Sequence, residues 1–462
     1  MKLLNRGKPN KNPFRDNSAT LLISTLLLGV PLTIVLLHCA YQTYYKKGAH
    51  WSHHHDILDP VTHAHDPSSL LYAASYSGLV TTLNLSLAAY RDAPVKLETL
   101  ATTDACGGSP SWLTLDWMNG VLYCTDEGIK DGKNGSLVSF ATNENGTLAP
   151  LTKLSTALGP VSAVAYGQWD YGLAVAHYGG SAFTTWDIRD PSNITSLQVL
   201  EYSLPKPGPD PSRQEASHPH AAVLDPTKRF LLVPDLGADL IRVYSVDEDE
   251  SLALSKLDPL VVAPGSGPRH LTFVVKETKT FMYLVTELAN TVVGYEVVYG
   301  GGFIVFKEVW SSGIHGKGND IPRGAAAAEI AVSVSEHRIL KGRDSNSVQP
   351  DREYLLISSR NENTLEIPSF DGGNTTSITS DSLVSFRIDG ETGHLALQQD
   401  IACGGRFPRH FTINKAGTLV AVALQHDSRV IILERDVKTG MIGDFVAYAE
   451  LEGEVTAVIF YE

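Results

Sequence analysis

Two segments, "GSGPRHLTFV" (265–274) and "GGRFPRHFTI" (404–413), set an Arg-His pair directly after a proline at the head of an apolar strand. A guanidinium is costly to bury unless it is paired or used. Related segments carry Ser111, Val161, His220, Arg269, Arg323 and Arg409 at the same position after a proline. A second column lies where an apolar strand meets its turn: Ser75, Asp126, His177, Asp235, Glu287, Arg360 and Gln425. A purely structural repeat would hold small or apolar residues there; these positions are charged, and the sign changes along the series. Arginines converging with His and Glu suit recognition of a small carboxylate or phosphate. They also suit acid–base chemistry, with Glu287 or His220 moving a proton or activating water and Arg269 and Arg360 stabilising developing negative charge. His218, Asp235, Arg323, Arg409, Gln425 and His177 are the candidate substrate contacts around them. His270 and His410, one position on, are expected to point the other way and pack between neighbouring sheets.

Other chemistries lack their residues. The sequence holds no His-Glu-x-x-His pattern, phosphate loop, dinucleotide fingerprint or Gly-x-Ser-x-Gly elbow. "CGGSPSW" (106–112) resembles a nucleophile motif, but "CGGRFPRH" (403–410) shows it to be part of the repeat. These residues require no metal and no cofactor.

The elements that position both columns recur. An apolar strand, a polar turn and a second apolar strand appear at 70–85, 121–140, 172–188, 230–246, 281–297, 354–388 and 418–436. Six of these hairpins follow a proline that opens another strand: Pro110, Pro160, Pro219, Pro268, Pro322 and Pro408. Only the first lacks one, and the sequence ends in "EVTAVIFYE", which resembles the missing strand. The count and the displaced strand predict an all-β, seven-bladed β-propeller over 67–462, its ring closed by the C-terminal strand in the N-terminal blade. The charged stretch 335–353 reads as a surface insertion in the sixth unit.

The chain has 462 residues and a formal charge of −14. That balance argues against nucleic acid as a partner. Residues 1–18 form a basic leader, and 19–40 an apolar run long enough for one transmembrane helix. The basic flank predicts a single-pass type II signal anchor with the propeller lumenal or extracellular; secretion after signal cleavage is the alternative. A His-rich stalk, 41–66, follows. Sequons at Asn84, Asn134, Asn145, Asn193 and Asn374 agree with that topology. Cys106 and Cys124 could pair in an oxidising compartment or remain as buried thiols.

The stretches "SHPHAAVLDPTKRFLLVPDLGADLIRVY" (217–244), "GSGPRHLTFV" with "FMYLVTEL" (281–288), "LLISSRNENTL" (355–365) and "FPRHFTINKAGTLVAVALQ" (407–425) carry a family resemblance. Over residues 67–462 the sequence resembles the seven-bladed propeller lactonases. These include propeller-type 6-phosphogluconolactonases and the fungal 3-carboxy-cis,cis-muconate lactonising enzyme, a carboxymuconate cyclase. The resemblance implies a site of one His, two Arg and one Glu, which by motif fall on His220, Arg269, Arg360 and Glu287. It implies a small anionic lactone or muconate-like substrate, with lactone hydrolysis or cycloisomerisation as the reaction. A non-catalytic propeller that binds partners at a membrane is the competing reading.

Overall fold

The structure is a computed structural model that describes residues 68–86, 94–130, 132, 134–247, 251–276, 278–333, 353–370 and 373–462. The leader, the apolar run 19–40 and the stalk lie outside the described residues, as does the insertion apart from Glu353. Among the described residues no helix is long and apolar enough to cross a membrane.

Among the described residues seven sheets of four or five strands form, one for each repeat, each built from antiparallel neighbours along the chain. In most the second strand is buried on both faces, as in Val121–Asp126, Gly172–His177, Phe230–Asp235 and Leu419–Leu424. This is why these strands read as nearly unbroken apolar runs: each blade is packed between two others. The outermost strands alternate instead, as Leu148–Thr156 does with one face in solvent. The core is divided among the interfaces, as in Leu113, Leu122 and Val138 packing with Tyr72, Val80 and Ala457 between blades 1 and 2.

Closure follows the sequence expectation. Val455–Phe460 is the innermost strand of blade 1 and pairs with Ser68–Ser75. Thr456 Oγ1 donates to the carbonyl of Pro110 (2.7 Å), stitching the closing strand to blade 2. A second stitch was not anticipated: Val95–Lys96 leaves blade 1 and pairs in parallel with the outer strand of blade 7, Ile442–Glu450. Both contacts remove edges that would otherwise recruit other strands.

The insertion joins Ala326–Ser333 to Tyr354–Arg360. Its roots, Ser333 and Tyr354, pair at one end of the ladder, and Ala326 and Arg360 pair at the other. Those roots therefore lie at the end of the blade opposite Arg360. The Arg360 end carries a short extra hairpin instead, Leu365–Pro368 with Ser377–Ser380.

Cys106 and Cys124 form a disulfide with Cα atoms 6.0 Å apart, and Cys403 is a buried free thiol. The bridge spans 18 residues, so reduction should cost about 3 kcal/mol through restored loop entropy. Denaturation with and without a reductant checks this, and an unchanged midpoint would contradict it.

Candidate active site

The ladders place the two columns in true register. The pairs Ser75–Val455, Asp126–Pro110, His177–Pro160, Asp235–Pro219, Thr286–Pro268, Ser359–Ala327 and Leu424–Pro408 are equivalent around the ring. The next residue on the second strand is therefore Tyr76, Glu127, Tyr178, Leu236, Glu287, Arg360 or Gln425. Six of these donate their backbone N–H to the residue before the inner strand's opening, as Glu287 does to Gly267 and Glu127 to Ser109. Glu287, Arg360 and Gln425 were thus aligned correctly from sequence, and Ser75, Asp126, His177 and Asp235 fell one residue short. A one-residue slip turns a side chain to the other face of the strand.

Those four face away from the channel and hold the fold. His177 is fully buried between the Ala157 carbonyl (3.1 Å) and Thr184 Oγ1 (2.8 Å). Burial pulls its imidazole down to about 4, so it is neutral. Asp126 accepts from the N–H of Ser109 and Gly128. Asp235 accepts from Ser217 Oγ and the N–H of His218, and pairs with Arg242 (2.6 Å). These aspartates clamp the loops that carry the site. Arg323 is also corrected: it lies in an exposed turn before the inner strand of blade 6 begins at Ala326. The residues equivalent to Arg269 and His270 in that blade are Ala328 and Glu329.

Most inner strands also carry a β-bulge at this point. The register shifts between Pro110 and Trp112, Pro268 and His270, Ala327 and Ile330, and Pro408 and His410. A bulge sets two residues against one and breaks the alternation of faces. Arg269 and His270 consequently both reach the channel, as do Arg409 and His410. The expectation that His270 and His410 pack between blades is overturned. His270 Nδ1 lies 2.8 Å from Glu329 Oε1, and His410 Nε2 lies 3.9 Å from Oε2. Trp112 from blade 2 meets the His410 ring at 5.0 Å and the His270 ring at 5.7 Å, a contact made across the ring.

Glu287 is the hub above this layer. Arg360 Nη2 lies 2.9 Å and Arg269 Nε 3.0 Å from its Oε2, and Arg213 Nη2 donates to Oε1 at 2.6 Å. Burial opposes the carboxylate's charge, but Arg360, Arg269 and Arg213 outweigh it and hold the group at about 2. Arg360 also donates to the carbonyls of Ala326 and Ala327 and lies over the Phe407 ring (4.9 Å). Phe407 holds a left-handed φ of 62° that places the ring there. Arg269 is 2 % exposed and its Nη1 has no partner. Burial, then Arg360, pulls its guanidinium down to about 9, which leaves it cationic at neutral pH.

His220 stands beside the hub, with Nε2 4.0 Å from Glu287 Oε2 and Nδ1 buried without a partner. Burial, then Arg269, His270 and Arg409, drives its imidazole well below the usual range, so it is neutral. Tyr178 packs edge-on to His220 and stacks on His218 (4.2 Å), whose Nδ1 donates to the Tyr178 carbonyl. His218 thus acts as a wall for Tyr178.

A second cluster completes the channel. Arg409 donates to Tyr76 Oη (2.5 Å) and to Glu127 (2.9 Å), and Tyr76 donates to Glu127 (2.5 Å). Gln425 Nε2 donates to Glu454 (2.6 Å), leaving its Oε1 unpartnered. Sequence reasoning missed Tyr76, Glu127, Tyr178, Glu329 and Arg213. The first three follow from correct register; Arg213 lies in an irregular loop that carries no repeat signal.

Glu287 and Glu329 share one consequence. Burial opposes charge on Glu329, while His270, His410 and Arg269 outweigh it and hold it at about 2 as well. Carboxylates with depressed folded-state pKa stabilise the fold above their unfolded value, and that stability is lost as pH falls through the folded one. Stability should therefore drop between about pH 4.5 and 2, more shallowly in Glu329→Gln. Denaturation midpoints across that range check this; identical slopes for the two proteins would contradict it.

Comparisons with known proteins agree with this fold. The family model described as "Lactonase, 7-bladed beta-propeller" matches residues 70–460. A protein named "Probable 6-phosphogluconolactonase" from Arthroderma benhamiae is 28% identical over 337 residues, 72% of this chain and 75% of that protein. The 6-phosphogluconolactonase of Bacillus subtilis is 23% identical over 337 residues, 72% of this chain and 82% of its own. Among solved structures, the periplasmic gluconolactonase of Pseudomonas aeruginosa gives a TM-score of 0.66 at 21% identity, covering 85% of this chain and 99% of that one. At that identity the likeness is one of fold. The chain belongs to the seven-bladed β-propeller lactonase family.

Proposed function

We propose that this protein hydrolyses a small lactone inside the propeller channel. One observation carries the reading: His220 Nδ1 and Arg269 Nη1 are both buried and unpartnered, from adjacent blades that flank the Glu287 hub. A neutral imidazole with a free nitrogen can accept a proton, and a free buried guanidinium edge can receive an oxyanion. In this mechanism His220 takes a proton from water as the water oxygen bonds to the lactone carbonyl carbon. The C=O electron pair moves onto oxygen, where Arg269 Nη1 donates to it. Collapse re-forms C=O and breaks the ring C–O bond, and the proton on His220 goes to the departing alkoxide. The product is a hydroxy acid. Glu287 is already ionised and held by three arginines, so its role is to fix and partly neutralise them, and His220 is the base.

The names of the relatives support the reaction class. Assaying the full-length protein on a panel of sugar lactones with and without phosphate, and on carboxymuconolactone, tests the reading and the direction of reaction. Absence of turnover on every lactone would sink it.

We also place the propeller in the secretory pathway behind an anchor at 19–40. Asn134, Asn145, Asn193 and Asn374 are exposed, Asn84 is half-buried, and the Cys106–Cys124 bridge suits an oxidising compartment. Glycopeptide mass spectrometry tests this: unmodified Asn134, Asn145 and Asn374 would overturn it.

A further inference from the structure

We propose that Arg213 selects the substrate by binding a phosphate or carboxylate on the end of the lactone remote from the reacting carbonyl; this rests on the lactonase reading above. Three guanidiniums surround the single carboxylate of Glu287, so the hub carries surplus positive charge while His220 beside it is neutral. The three arginines are not equivalent. Arg360 is occupied by Glu287, Ala326 and Ala327. Arg269 is sealed in the channel, and its free Nη1 reaches only a deeply seated atom. Arg213 is 39% exposed and uses only Nη2 on the protein, to Glu287 Oε1 (2.6 Å) and Tyr178 Oη (3.4 Å). The rest of its fork bonds nothing on the protein at this part-exposed position, where a bidentate anion contact can form.

The other rim cations are committed elsewhere or stand apart. Arg406 is bound to Asp427 through Nε (2.9 Å) and Nη2 (2.6 Å). Arg409 is bound to Glu127 and Tyr76, and Arg323 lies in its exposed turn.

Spacing favours the same assignment. Arg213 holds one oxygen of Glu287, and Arg269 and Arg360 hold the other. The two cationic edges are thus separated by a carboxylate and two ion-pair contact lengths, roughly 5–8 Å, a span that a sugar-sized lactone covers from its carbonyl to its far end.

Arg213 is also built in rather than draped over the mouth. Its neighbour Gln214 is fully buried, donates through Nε2 to the Leu236 carbonyl (2.9 Å) and accepts from the N–H of Asp210 (3.1 Å). Ser217 Oγ ties the same loop to Asp235 (2.5 Å), and Ser181 Oγ donates to the Ser217 carbonyl (2.6 Å). A preorganised cation at a half-open position can bind an anion without paying to order a flexible loop.

The test compares glucono-1,5-lactone with its 6-phosphate in full-length wild-type, Arg213→Gln and Arg213→Lys proteins. In Arg213→Gln, KM for the phosphorylated lactone should rise about 10- to 100-fold, the loss of a charge-assisted contact, and much more than KM for the plain lactone. Arg213→Lys should recover part of that difference, and inorganic phosphate should compete in wild type more strongly than in Arg213→Gln. Equal losses on both lactones would overturn the proposal, because a residue that only positions Glu287 cannot tell them apart. If wild type turns over neither lactone, the hydrolase reading stands or falls on the wider lactone panel, separately from Arg213. Calorimetry with 6-phosphogluconate then decides: weaker binding to Arg213→Gln supports the anion site, and equal binding overturns it.

Discussion

Glu287→Gln is expected to lower stability by about 3–5 kcal/mol and to cut turnover at least 100-fold. The stability figure is the penalty for removing one partner of a buried ion cluster and leaving the others uncompensated. Here two of the stranded groups, Arg269 and Arg360, are themselves buried. Gln keeps the shape of Glu287, so packing is not the cause of the loss. Turnover falls because like-charged guanidiniums separate once their shared counter-ion is gone, and Arg269 Nη1 moves from the place where the oxyanion forms. Chemical denaturation and steady-state kinetics on the same sample check both halves. The Arg409 pair gives an internal comparison: Glu127→Gln leaves a single stranded arginine and should cost less. A Glu287→Gln protein with the wild-type midpoint would contradict the hub.

His220→Gln is expected to lower kcat by about 100- to 10,000-fold, the contribution of a positioned general base, with little change in stability. Its Nδ1 bonds nothing in the fold and its Nε2 stands 4.0 Å from Glu287, so the substitution removes no strong contact. The pH profile carries a second signature. Burial and the neighbouring cations depress the His220 imidazole, so the base is in its working form throughout the neutral range. Wild-type kcat/KM should hold level from pH 7.5 to below the usual imidazole value of about 6.5, and fall only when pH passes through the depressed one. A profile that drops near pH 6.5 would assign the base to another group.

The ring was legible in the sequence because its period is carried by long apolar strands and by the prolines that open them. The displaced strand "EVTAVIFYE" gave away the closure for the same reason: a missing element and a spare one of matching pattern. The site was legible where motif and register coincided, at His220, Arg269, Glu287 and Arg360, and by register at Arg409 and Gln425. Ser75, Asp126, His177 and Asp235 look equivalent to Glu287 along the chain because each ends a strand with a polar residue. Only the cross-strand pairing shows them to be one step early. Sequence also cannot show a bulge that turns His270 and His410 inward, because it is created by pairing with the next strand. Arg213 depends on buried Gln214 and on the Asp235 clamp, contacts between segments with no shared pattern. The anion expected from the arginines alone remains a matter of charge balance, and Glu287, Glu127 and Glu329 already answer most of it.

The stitched closure bears on how the protein is made. Val455–Phe460 must slot between Ser68–Ser75 and the channel after the other blades have been synthesised, and Val95–Lys96 must wait for Ile442–Glu450. Until then a nascent chain carries an unpaired inner edge on blade 1 and an incomplete channel. Folding is governed by contacts of very long sequence separation, which form slowly and leave sticky edges exposed meanwhile. Cys106–Cys124 can form early, since both cysteines lie near blade 2, whereas the channel is complete only once Val455–Phe460 has paired. Insertion of Val455–Phe460 into blade 1, and not formation of the disulfide, is then the step that completes the channel.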